Sequence, residues 1–143
     1  MPVAMKRVYE PASPNDGVRV LVDRLWPRGL TKASAAVDEW LRDLAPSNEL
    51  RRWYHGRPNE WPAFRKKYHK ELGQPEAQAA LQRLYELAHQ GKPLTLLFAS
   101  KNETANNATV LKELLTGVRK PPTGTGPVAA NLVRRRRAAV RRR

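Results

Sequence analysis

The chain has 143 residues, enough for one compact domain with its own apolar core and too few for two of ordinary size. It has no cysteine, which excludes disulfide frameworks, thiol nucleophiles, cysteine-based zinc sites and redox switches. The formal charge of +14 points to an anionic partner, yet nine of the 27 Lys and Arg residues lie in 118–143, so the rest carries 18 cations against 13 acids.

Val3–Tyr9 contains a short apolar stretch suited to an edge strand. Pro11 to Gly17 is a turn-rich loop in which Gly17 is free to take a positive φ. Val18-Arg19-Val20-Leu21-Val22-Asp23 is rich in β-branched residues and apolar on both faces, as a covered central strand is. Val37, Trp40, Leu41 and Leu44 stand at i, i+3, i+4 and i+7, which predicts a helix over 32–45, with a short strand around Trp40 as the alternative. Ser47 is placed to cap a short helix through Trp53, and His55-Gly56-Arg57-Pro58 reads as a turn. Trp61, Phe64, Tyr68 and Leu72 line one face of a helix beginning near Asn59, which Gly73 and Pro75 end. Ala77 to Ala88 repeat the helical pattern up to Gly91. Leu94–Ala99 is a second buried strand, followed by a helix carrying Ala105 to Leu115, capped by Thr104 or Asn102 and closed by Gly117.

Buried strands separated by helices imply a small, mainly parallel α/β sheet flanked by helices, in one domain over residues 1–117. Residues 118–143 read as a Pro/Gly linker and a disordered arginine-rich tail, a candidate for non-specific nucleic-acid binding or simply a solvated extension. No apolar stretch approaches the ~20 residues of a membrane span. Met1–Arg7 has no apolar core of a signal peptide. The expectation is a cytoplasmic protein without a membrane partner.

In parallel α/β sheets the ligand site lies beyond the carboxyl ends of the strands. That rule selects Asp23–Gly29 and Ser100–Asn107. In the first loop, Arg24 and Arg28 suit forked bonds to phosphate or carboxylate, Trp26 offers a flat face, and Asp23 is a candidate base. The plainer reading pairs Asp23 with Arg24 and buries Trp26 in the core. In the second, Lys101 adds a charge near a helix start, and Asn102, Asn106 and Asn107 add amides, which serve a ligand or merely cap the helix. Trp53, Tyr54 and His55 end a helix where they can rim a pocket, and His55 is a second acid–base candidate. The three histidines lack metal-ligand spacing, and no dinucleotide or phosphate-loop fingerprint occurs, so no metal is expected and no cofactor is assigned.

These segments resemble a known family. Lys6-Arg7-Val8-Tyr9-Glu10-Pro11, Asp16-Gly17 with Arg19 to Gly29, Trp40 with Leu44-Ala45-Pro46-Ser47 and Glu49-Leu50-Arg51, His55-Gly56, Phe64-Arg65 with Tyr68 and Glu71-Leu72, and Pro93 to Leu97 with Lys101-Asn102 are similar to YeaO-like proteins of the domain of unknown function numbered 488. The resemblance covers about residues 5–116 and implies a compact cytoplasmic α/β domain without a settled activity. In similar proteins the last motif ends in Asn-His-Ala; here it reads Asn106-Asn107-Ala108, and an amide neither shuttles protons nor ligates metal as imidazole does. Two functions follow as expectations: an enzyme or binding domain for a phosphate- or nucleotide-like small molecule, or a non-catalytic nucleic-acid-associated or regulatory module. A domain whose charged loop is internally paired is the third.

Overall fold

The structure is a computed structural model that describes residues 3–117; the linker and arginine-rich tail expected over 118–143 lie outside the described residues. Four strands, β1 (Val3–Arg7), β2 (Val18–Leu21), β3 (Glu39–Trp40) and β4 (Leu94–Phe98), form one sheet in the order β1-β4-β2-β3, with every neighbouring pair parallel. β4, the last strand among the described residues, is therefore inserted between β1 and β2. Among the described residues α1 (Lys32–Ala35) lies between β2 and β3, α2 (Asn48–His55), α3 (Trp61–Glu71) and α4 (Pro75–Ala88) lie between β3 and β4, and α5 (Asn107–Leu115) follows β4. Among the described residues no helix is long and apolar enough to cross a membrane.

Alternation along the central strands builds two cores. Val20, Val22, Leu94, Leu96 and Phe98 face one side, where residues of α2 to α5, among them Leu50, Phe64, Leu81 and Leu111, cover them. Leu21 and Leu97 face the other side and pack with Val8, Ala35, Trp26, Leu30, Val37 and Trp40. One face thus carries the four longer helices, and the other is closed by α1 and loops.

This division explains why residues 32–45 do not form one helix. A helix would put Val37, Trp40, Leu41 and Leu44 on one stripe, but Val37 and Trp40 pack on one core while Leu41 and Leu44 pack on the other. The chain leaves α1 at Ala36, whose φ is +49°, pairs Glu39 and Trp40 beside β2 and finishes with a 3-10 turn over Arg42–Leu44. The alternative short strand at Trp40 is what forms.

Interhelix joints are made by side chains reaching backbone groups. Ser47 caps α2 by accepting from the Leu50 amide at 3.1 Å, and Glu71 of α3 accepts from the Ser47 amide at 2.8 Å and from its hydroxyl at 2.6 Å. Tyr68, fully buried, donates its hydroxyl to the Leu44 carbonyl. Tyr68→Phe keeps the ring and strands that carbonyl, so a loss of about 1–3 kcal/mol is expected in denaturant unfolding.

Candidate functional site

Because β2 and β4 are neighbours and parallel, their carboxyl ends emerge side by side. Asp23 and Asn107 tie them together. The Asp23 Oδ2 accepts from the Ala99 amide at 2.8 Å, and Asn107 Nδ2 donates to Asp23 Oδ1 at 3.1 Å and to the Val22 carbonyl at 3.0 Å. Trp40 Nε1 donates to the Asp23 carbonyl at 2.7 Å. Burial pushes the Asp23 carboxyl above its ordinary pKa, and the Ala99 amide, the Asn107 amide and the charge of Arg51 oppose that shift without cancelling it.

A cavity of about 390 Å³ opens over this joint. Asp23 and Asn107 line it, with Arg24, Arg28, Arg51 and His55 contributing basic groups and Tyr9, Trp26 and Tyr54 aromatic wall. Arg24 is half-buried and anchors the loop, donating to the Ala45 carbonyl at 3.2 Å and more weakly to that of Pro46 at 3.4 Å. Arg28 is exposed and makes no hydrogen bond or ion pair among the described residues. Tyr54 donates its hydroxyl to the Ala105 carbonyl at 3.0 Å, fixing α2 against the loop before α5, and burial raises its pKa.

The structure brings Asp23, Arg24, Trp26, Arg28, His55, Asn106 and Asn107 around one cavity and leaves Lys101 and Asn102 outside its lining. Asn102 instead closes a turn, its side-chain oxygen accepting from the Thr104 and Ala105 amides at 3.2 and 3.0 Å. That turn delays the helix: α5 starts at Asn107, capped by Asn106, whose Oδ1 accepts from the Thr109 amide at 3.2 Å, and not by Asn102 or Thr104. Trp26 serves two ends at once. Its ring meets Trp40 edge-on at 5.4 Å and its Nε1 donates to the Leu30 carbonyl at 2.7 Å, while the ring also borders the cavity. Trp53 does not line the cavity; Arg57 and Lys67 flank its ring at 5.3 and 4.9 Å. Arg51 and Tyr9 stand in segments that carry the family resemblance but were not read as site residues. Arg51 precedes His55 by four positions on α2, a spacing that sets both on one helix face and was sufficient to find it.

Among the described residues no group of three or more His, Asp or Glu is placed to hold a metal ion. The arrangement offers two kinds of partner contact: acceptors held at the joint of the strands and the exposed guanidiniums of Arg28 and Arg51.

Fold and site together define a small parallel α/β domain with a cationic cavity at the carboxyl end of its sheet. Residues 2–123 match the family model described as "Inactive DUF488-N3 subclade". The chain is 47% identical over 115 residues to "Uncharacterized protein YeaO" of Escherichia coli (strain K12), covering 80% of this chain and 97% of that one. It is 41% identical over 115 residues to "Uncharacterized protein Mb3100c" of Mycobacterium bovis and to "Uncharacterized protein Rv3073c" of Mycobacterium tuberculosis, covering 80% of this chain and 94% of each. No solved structure gives a significant match. The chain belongs to the YeaO-like DUF488 family.

Proposed function

We propose that the protein is a binding domain for a phosphate-bearing small molecule, held at the strand-end cavity without turnover. The observation that carries this reading is Arg28: an exposed guanidinium on the cavity wall, unpaired among the described residues, beside Arg24 and Arg51. A guanidinium held without an acid partner beside a concave, partly aromatic surface suits an oxyanion. Two features support binding over catalysis. Both oxygens of Asp23 already accept hydrogen bonds, one from a backbone amide and one from Asn107, so its carboxylate holds the strand ends in place. The description of the matched family as an inactive subclade agrees with that.

The test is calorimetric titration of the full chain with inorganic pyrophosphate, in the wild type and in Arg28→Ala. Loss of a charge-assisted contact is expected to weaken binding by about 10- to 100-fold. Equal affinities for the two proteins sink the proposal, because attraction to cations elsewhere in the chain would then account for all of the binding.

A nucleic-acid role is the second reading, favoured by nine cations in 118–143 and by the exposed Lys66, Lys67 and Lys70 on α3. Replacing Arg134 to Arg137 with serine separates it: RNA or DNA binding that disappears with those four residues is polyelectrolyte attraction.

A further inference from the structure

The polarity of the cavity is ordered from floor to mouth, and the order limits how a ligand enters. At the floor the exposed groups are acceptors. Each Asp23 carboxylate oxygen accepts one hydrogen bond, from the Ala99 amide or from Asn107, and can accept another. Asn107 spends its Nδ2 on Asp23 and on the Val22 carbonyl, which fixes the amide with its Oδ1 unpartnered beside the cavity. The Tyr54 hydroxyl gives its proton to Ala105 and so offers lone pairs only. Asn106 is consumed in capping α5 and in donating to the Asn102 carbonyl at 2.7 Å.

An anion is therefore repelled from the one place where the helix dipole would invite it. The α5 N-terminus lies at the floor, but the Asp23 carboxylate sits there, 3.1 Å from the Asn107 amide nitrogen. The cations that remain are Arg24, Arg28 and Arg51 on the walls. A ligand that satisfies both zones carries hydrogen-bond donors on its inner end and an anionic group on its outer end.

From this we infer that the ligand is a phosphorylated ribose-type compound, a nucleoside monophosphate in its simplest form, with its vicinal hydroxyls on Asp23 and Asn107 and its phosphate among Arg28 and Arg51. Carboxylates accept ribose hydroxyls well because each oxygen takes a donor in the plane of the group. Tyr9, Trp26 and Tyr54 give a planar base apolar surface on the way out. The inference rests on the phosphate-binding reading above and adds the orientation and the donor-bearing end.

The experiment titrates both the full-length wild type and Arg28→Ala with AMP, with 2′,3′-dideoxy-AMP and with inorganic phosphate. AMP is expected to bind at least about tenfold more tightly than the dideoxy compound, since a buried acceptor pair is left unpaired when the hydroxyls are missing. Asp23→Asn is expected to reduce that ratio, with unfolding curves showing that the variant is folded; the wild-type ligand series decides the matter if it is not. Equal affinity for AMP and its dideoxy analogue, both weakened by Arg28→Ala, overturns the floor assignment and leaves the phosphate site standing. AMP and phosphate binding that are both indifferent to Arg28→Ala overturn the two together. A primary-amine phosphate such as phosphoethanolamine binding more tightly than AMP also overturns the diol assignment, because the floor would then read an ammonium.

Discussion

Gly17→Ala is expected to remove about 3 kcal/mol or more of stability, a large share of the 5–15 kcal/mol typical of a whole domain. Gly17 has φ +64° and stands directly before β2, against the residue that precedes β4. An added Cβ would lie 2.0 Å from the Pro93 carbonyl oxygen and 2.6 Å from its carbon. Both obstacles are backbone, so no rotamer relieves them. The same carbonyl accepts the Val18 amide at 2.9 Å, and the Thr95 hydroxyl donates to the Asp16 carbonyl at 2.8 Å, so moving either segment breaks the start of the β2–β4 ladder. Gly91→Ala is the matched control. Its φ is +79° but an added Cβ meets nothing within 4 Å, so only the conformational cost of about 1–2 kcal/mol applies. Denaturant unfolding of the two variants should separate them by more than 1 kcal/mol; equal losses would mean that positive φ, and not the approach of the two strands, is what Gly17 supplies.

That close approach was only half legible in the sequence. A glycine at the end of a Pro- and Asn-rich loop declares a positive φ, but nothing local declares that Pro93, far along the chain, lies against it. The same limit runs through the fold. Val18–Val22 and Leu94–Phe98 are readable as covered strands because both their faces are apolar, and both cores are needed to cover them. The insertion of β4 between β1 and β2 is a matter of long-range pairing that neither segment encodes alone. At residues 32–45 a four-residue apolar pattern fits a helix as well as a chain that turns from one core to the other, and only the packing decides between them. The carboxyl-end rule was enough to select the two loops that meet at Asp23 and Ala99. It did not exclude Lys101 and Asn102, because an Asn that caps a tight turn and an Asn that caps a helix have the same sequence signature.

Arg19 shows the opposite case, a charge hidden inside a covered central strand. Its side chain is buried, with 4% of the residue exposed. It donates to Asp16 Oδ2 at 2.6 Å and to the Ala35 and Ala36 carbonyls at 2.9 Å each. It therefore links β2 to the left-handed turn at Ala36 that ends α1 and sends the chain toward β3. Arg19→Ala is expected to cost about 3–5 kcal/mol, the usual penalty for stripping one partner from a buried pair. Part of that loss is electrostatic and depends on pH. Burial by itself would raise the Asp16 carboxyl, but the Ser13 amide, Arg19 and Lys6 outweigh it and hold the pKa below the ordinary carboxylate value. A carboxylate depressed in the folded state contributes stability that is present above its unfolded pKa of about 3.9 and is lost as pH falls through the folded one. The gap between wild type and Arg19→Ala should therefore narrow between pH 7 and pH 3 in parallel urea titrations. Lys6, 3.2 Å from the same Asp16 oxygen, keeps part of the pairing in the variant and limits how far it narrows. A gap of the same size at both pH values would assign the whole cost to the two orphaned carbonyls of Ala35 and Ala36, making Arg19 a clamp on the turn and not a counter-charge.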